Sequence, residues 1–180
     1  MIMNLQEALE KIKEASRKFV MVEDGVINGV LLRLAELLDG GVEKIIEENK
    51  KDLDKMESSD SLYDRVLLDR GRIRGMAASV REIAAYDSPI GIELEHRVLK
   101  SGLDLRKISV PFGVVGAIFE ARPNVVIDIF ALCFKSKNAC VLKGGSQAEN
   151  SNAILVTLIL QAIEEKRGEN YFMLDLVLLL

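Results

Sequence analysis

The stretch from Val110 to Ser146, VPFGVVGAIFEARPNVVIDIFALCFKSKNACVLKGGS, constrains the fold more than any other part of the chain. It sets two short apolar strands, an apolar helix and two polar turns into one continuous unit. Gly113 to Phe119 reads as a buried strand and Ala139 to Leu142 as the next. Val125 to Phe134 is apolar almost all round, with Asp128 the main exception. Its length, and Pro123 at a first helical position, favour a buried helix between the strands. Ser146 to Arg167 continues as a long helix closed by Gly168, and Leu174 to Leu180 as a third strand. Strand–helix–strand–helix–strand with short links implies a parallel sheet with right-handed crossovers. Both polar clusters, Glu120 to Asn124 and Lys143 to Ser146, then fall at carboxyl ends of strands, where open parallel sheets bind ligands.

Upstream the period is helical. Leu5, Ala8, Leu9, Ile12, Ala15 and Phe19 form one stripe and Ile27, Val30, Leu31, Leu34 and Leu38 a second. Val42, Ile45, Ile46, Asn49, Leu53 and Met56 form a third stripe with a single polar break. Ile73, Met76, Ala77, Val80 and Ile83 mark a fourth helix that ends before Ser88-Pro89. Gly25 and Gly40-Gly41 punctuate these segments. Residues 91–109 then alternate around Ser101-Gly102 as a hairpin, charged on one face, with that face expected to be wet. The expected organisation is a helical segment 1–88, a hairpin arm 91–109 and a βαβαβ unit 110–180.

Charge and cysteine content narrow the function class. The net charge of −4 and the few aromatics argue against a nucleic-acid partner. Arg65, Arg70, Arg72 and Arg74 read as a solvated helix edge, with an anion site the competing reading. No apolar run reaches the ~18–20 residues of a membrane span. The start is amphipathic and charged, unlike a signal peptide. Cys133 and Cys140 sit inside apolar runs without metal spacing, so they read as buried free thiols, expected in a reducing cytoplasm. His96, the lone histidine, has no partners for a catalytic set or a zinc site.

Each polar cluster carries two readings. Ser146-Gln147-Ala148-Glu149 fits a capping box, while Gly144, Gly145 and Ser146 fit a helix start that faces a phosphate, with Lys143 adding a cation, and the cofactor reading is favoured over a simple turn. Two glycines in a row would let a ligand approach the backbone. Asn124 either donates its amide to a developing oxyanion or caps the next helix. Arg122 either holds an anion or pairs with Glu120.

The run Val110 to Ser146, together with LYDRVLLDRGRIRGMAASVREIAAYDSPIG upstream and the link Leu99 to Leu103, resembles the gamma-glutamyl phosphate reductase family. This family, also called glutamate-5-semialdehyde dehydrogenase, lies within the aldehyde dehydrogenase superfamily. The resemblance implies an α/β, aldehyde-dehydrogenase-like fold: N-terminal helices, a β-hairpin arm and the start of a Rossmann-like nucleotide-binding domain. The hairpin itself reads either as an arm through which copies pair or as a plain surface hairpin. The resemblance also implies NADPH-dependent reduction of L-glutamyl 5-phosphate to glutamate 5-semialdehyde, a step of proline synthesis. Asn124 matches the oxyanion asparagine and Lys143 a cofactor-ribose lysine. Ser146 replaces a glutamate of NAD-preferring relatives, which favours NADPH. Arg122 is the candidate for the substrate's phosphate or carboxylate. The family's catalytic cysteine matches neither Cys133 nor Cys140, and the family is much longer.

The end of the sequence points the same way. Five apolar residues, Leu176 to Leu180, left uncovered would forgo about 10 kcal/mol of burial. The expectation is an N-terminal part of the enzyme, inactive alone, or a non-catalytic nucleotide-binding or interaction module. An incomplete sheet with an open edge is also expected to associate.

Overall fold

A computed structural model describes residues 4–180. Its first half is helical: Leu5–Phe19 (α1), Asp24–Gly40 (α2), Val42–Leu53 (α3), the short Tyr63–Val66 (α4) and Arg70–Ala85 (α5). The apolar stripes set these helices, and side chains fix two of their starts. Asn4 accepts the Gln6 amide at the head of α1, and Asp69 accepts the Arg72 amide at the head of α5. Gly25 lies inside the first turn of α2 rather than between helices. The turn before α2 is instead held by Lys137, whose ammonium meets the Val20 and Val22 carbonyls and Asp24.

Glu93–Val98 (β1) and Asp104–Ile108 (β2) form an antiparallel hairpin of their own. Gly102 sits at its tip with φ +85°, a conformation open to glycine at little cost. Nearly every residue of both arms is exposed, so both faces meet solvent, not one as the charge pattern predicts. With no layer packed on it, the hairpin has no buried face to define.

Val114–Ile118 (β3), Ala139–Lys143 (β4) and Val177–Leu179 (β5) form a parallel sheet in the order β3-β4-β5. Asn124–Lys135 (α6) joins the first two strands and Glu149–Lys166 (α7) the second two. The expected alternation is therefore present. Helix α1 touches all three strands, while α2 packs against α5 and α7, and α5 against α6. One continuous core joins the helical half to the sheet; Phe19, Phe130 and Phe134 stack at its centre, with ring centroids 4.8 and 4.9 Å apart.

Two expectations at the C-terminal end change. Tyr171–Leu176 winds as 3₁₀ turns, so the last strand begins at Val177 rather than Leu174. Leu176 and Val177 are buried and Leu178 and Leu179 partly so; only Leu180 is exposed. Packing against α1 and α7 covers most of the apolar run that the sequence reading left bare. Gly168 does close α7, with φ +59°.

Candidate functional site

Parallel pairing places Ile118 opposite Lys143, so the two polar clusters leave the sheet side by side. Their backbones are stitched together: the Phe119 amide donates to the Lys143 carbonyl at 3.0 Å and the Gly145 amide to the Glu120 carbonyl at 2.9 Å. Val66, Ala121 and Ala148 form a small apolar cluster between the clusters and the α4 segment. The site thus has a firm floor built from three separate stretches of sequence.

The first cleft, about 430 Å³, opens at the end of β3. Asn124, Arg122 and Asp128 line it, together with Arg65, Asp64, Arg72 and Ser79 from the helical half. Asn124 is the first residue of α6 and makes no cap; Pro123 precedes the helix instead of opening it. The Asn124 amide donates to the Asp128 carboxylate at 3.0 Å. An amide nitrogen carries two hydrogens, and the second has no partner among the described residues. Burial raises the Asp128 carboxyl above its ordinary range, against a smaller lowering by the Asn124 bond.

Charge pairing differs from what the sequence suggests. Glu120 pairs with Arg65 at 3.0 Å, not with Arg122. Arg122 is exposed and makes no ion pair among the described residues. Arg72 is spent internally: it holds the Asp64 and Leu67 carbonyls and the Asp64 carboxylate. Arg70 pairs with Glu43. Arg65 and Arg72, read from the sequence as part of a solvated edge, line the cleft. No local pattern marks them, because α4 and α5 only meet the β3 loop in three dimensions.

The second cleft, about 380 Å³, opens at the end of β4 and is lined by Lys143, Gly144, Gly145, Ser146, Glu149, Asn152 and Leu179 among others. The capping box is absent. Ser146–Ala148 is a 3₁₀ turn, α7 begins at Glu149, and Ser146 makes no cap bond. The anion at the head of α7 is a protein group. Asp52 of α3, 1 % exposed, accepts the amides of Asn150 and Ser151 at 3.1 and 2.8 Å, along with the Asn150 side-chain amide and the Ser151 hydroxyl. A phosphate therefore does not meet these first-turn amides. Asn49, read as a polar break, is a second connector: its amide donates to the Val66 carbonyl and the Ser151 hydroxyl and accepts from the Leu68 amide.

The glycine pair also serves the chain itself. A Cβ on Gly145 would lie 2.9 Å from the Glu120 carbonyl oxygen, and one on Gly144 would collide with the Asn152 amide. Close packing of protein on protein, rather than ligand approach, requires both. What remains for a ligand is an exposed Lys143 without a carboxylate partner among the described residues and an exposed, uncommitted Ser146.

Cys133 and Cys140 are buried and line neither cleft. The contact with the Cys133 sulfur, and then burial, push the Cys140 thiol well up, opposite to what a nucleophile needs. Among the described residues there is no cluster of His, Cys, Asp or Glu suited to a metal. Among the described residues no helix is long and apolar enough to cross a membrane.

Comparison with known proteins places this geometry. A gamma-glutamyl phosphate reductase of Chlorobium luteolum is 51 % identical over 161 residues, 89 % of this chain and 38 % of that protein. The crystal structure of a gamma-glutamyl phosphate reductase from Thermotoga maritima superposes with TM-score 0.89 at 30 % identity, over 98 % of this chain and 42 % of that one. The chain is homologous to the N-terminal portion of gamma-glutamyl phosphate reductases. It spans about two fifths of the length of these relatives. A glyceraldehyde-3-phosphate dehydrogenase from Methanocaldococcus jannaschii, in complex with NADP, shares the fold at TM-score 0.71 and 18 % identity, over 97 % of this chain and 35 % of that one. The α/β architecture is therefore that of aldehyde dehydrogenases. No protein-family model matches the chain.

Proposed function

We propose that this chain forms the oxyanion and cofactor-facing part of an NADPH-dependent reductase that converts L-glutamyl 5-phosphate into L-glutamate 5-semialdehyde and phosphate. The observation that carries the reading is the Asn124 amide, one hydrogen still free, in an arginine-rich cleft beside the Lys143 cleft. The reductase relatives supply the substrate class.

Asn124 donates to the acyl oxygen as negative charge develops on it, and its bond to Asp128 fixes the direction of the amide. Arg122 meets an anionic end of the substrate. Lys143 and Ser146 hold the ribose side of the cofactor, whose chemistry is to deliver a hydride to the acyl carbon. A serine at 146 places no negative charge against a 2′-phosphate, although Glu149 also lines the cleft. The acyl carbon loses phosphate to a thiolate before it is reduced. Neither described cysteine reaches the cleft, so that thiolate belongs to the part of the relatives this chain does not span, and the 180-residue chain is expected to be inactive alone. The exposed hairpin is the arm through which copies associate. The enzyme acts in the cytoplasm, on a small-molecule substrate, without nucleic acid or membrane.

Full-length enzyme carrying this chain should oxidise L-glutamate 5-semialdehyde with NADP⁺ in the presence of phosphate, the reverse direction. Asn124→Ala should lower kcat about 100- to 1000-fold with little change in KM. Ser146→Glu should shift preference from NADPH towards NADH. Unchanged kcat in Asn124→Ala would overturn the oxyanion role.

A further inference from the structure

We infer that the Asn124 cleft reads the amino-acid end of its substrate as a zwitterion, with Asp128 taking the α-ammonium group and Arg122 the α-carboxylate. This rests on the reductase reading and goes beyond it, naming the groups that set its preference for an amino-acid acyl chain.

The charges lining the cleft cancel in pairs except for two. Arg72 is engaged by Asp64 and two carbonyls, and Arg65 by Glu120. Arg122 and Asp128 remain, one cation and one carboxylate, with no ion partner among the described residues. Asp128 uses Oδ2 to hold Asn124, and Oδ1 accepts nothing among the described residues. A half-buried carboxylate without a cation carries an uncompensated desolvation cost. It also stands next to the amide proposed to stabilise an oxyanion, where its own negative charge opposes the one that develops. An ammonium group on the substrate removes both penalties at once. Asp128 lies one helical turn after Asn124 on the same face of α6 and meets its amide at 3.0 Å, so the carboxylate and the amide open onto one cleft. In a glutamyl group three carbon–carbon bonds separate the acyl carbon from the carbon that bears the ammonium and carboxylate. A bound substrate thus supplies the counter-charge that the cleft lacks, and an aldehyde without an ammonium group leaves Asp128 facing the oxyanion alone.

The test uses the full-length enzyme in phosphate-dependent aldehyde oxidation. L-glutamate 5-semialdehyde is compared with 5-oxopentanoate, which lacks the ammonium group, and with 4-aminobutanal, which lacks the carboxylate. Asp128→Asn should lower kcat/KM for glutamate semialdehyde about 10- to 100-fold more than for 5-oxopentanoate. The variant amide still accepts from Asn124, so oxyanion positioning survives. Arg122→Gln, at an exposed position that does not threaten folding, should produce the same selective loss relative to 4-aminobutanal. Equal losses on the paired substrates would mean that Asp128 only positions Asn124, and would overturn the proposal. If the wild-type enzyme oxidises none of the three aldehydes, the reductase reading falls and this proposal falls with it.

Discussion

The Asp52 carboxylate accepts both the backbone amide and the hydroxyl of Ser151, at 2.8 and 2.7 Å, and so ties α3 to the first turn of α7. The two residues are far apart in sequence and fully buried. The contact caps the helix behind the Lys143 cleft, the task the sequence assigns to Ser146. Asp52→Ala leaves several buried donors unpaired and should cost about 3 kcal/mol or more. Ser146→Ala should cost less than about 0.5 kcal/mol, because that hydroxyl caps nothing. Urea unfolding of the pair decides the matter; a larger loss in Ser146→Ala would restore the capping box.

Gly145 has extended backbone angles, φ −71° and ψ 152°, that any residue can adopt. Its need for glycine is spatial, since the Glu120 carbonyl occupies the place of a Cβ. Gly145→Ala should therefore lower the melting temperature by the equivalent of about 1–3 kcal/mol, even without cofactor. Gly102→Ala faces open space and strains only its own φ of +85°, at a cost of about 1 kcal/mol. A Gly145→Ala variant with unaltered melting and weakened NADPH binding would instead favour ligand approach.

Asp128 makes stability depend on pH. Burial raises its carboxyl above 3.8 in the folded chain, with the Asn124 bond pulling weakly the other way. The folded state then holds the proton more tightly than the unfolded one. Its contribution is fully favourable below 3.8 and is lost as pH rises through the higher folded value. Asp64, Arg65, Arg72 and Arg122 share the cleft and are unchanged in the variant. Asp128→Asn should be more stable than the parent at pH 7, and this advantage should vanish near pH 3. Melting curves across this range check both the sign and the window; an advantage that grows on acidification would contradict the assignment.

Cys133 and Cys140 are buried in the shared core, and the Cys133 sulfur and burial raise the Cys140 thiol. Neither should react with iodoacetamide in the folded protein, and both should react in urea. Mass spectrometry reads the outcome. Rapid native labelling of Cys140 would show an accessible thiol and reopen its case as a nucleophile.

Sequence alone determined the elements whose cause is local. Apolar spacing set the helical half, glycines marked Gly102 and the close of α7 at Gly168, and the alternation after Val110 set the parallel sheet and the adjacency of its two polar clusters. It also placed Asn124, Arg122, Lys143 and Ser146 at the strand ends. Tertiary structure decided which of these groups are free. Arg65 took Glu120 and left Arg122 open, Asp128 took Asn124, and Asp52 took the head of α7 and left Ser146 uncommitted. Most of these choices join segments distant in the chain. Hydrogen-bond and charge partners are set by proximity in space, which neither periodicity nor motif spacing encodes.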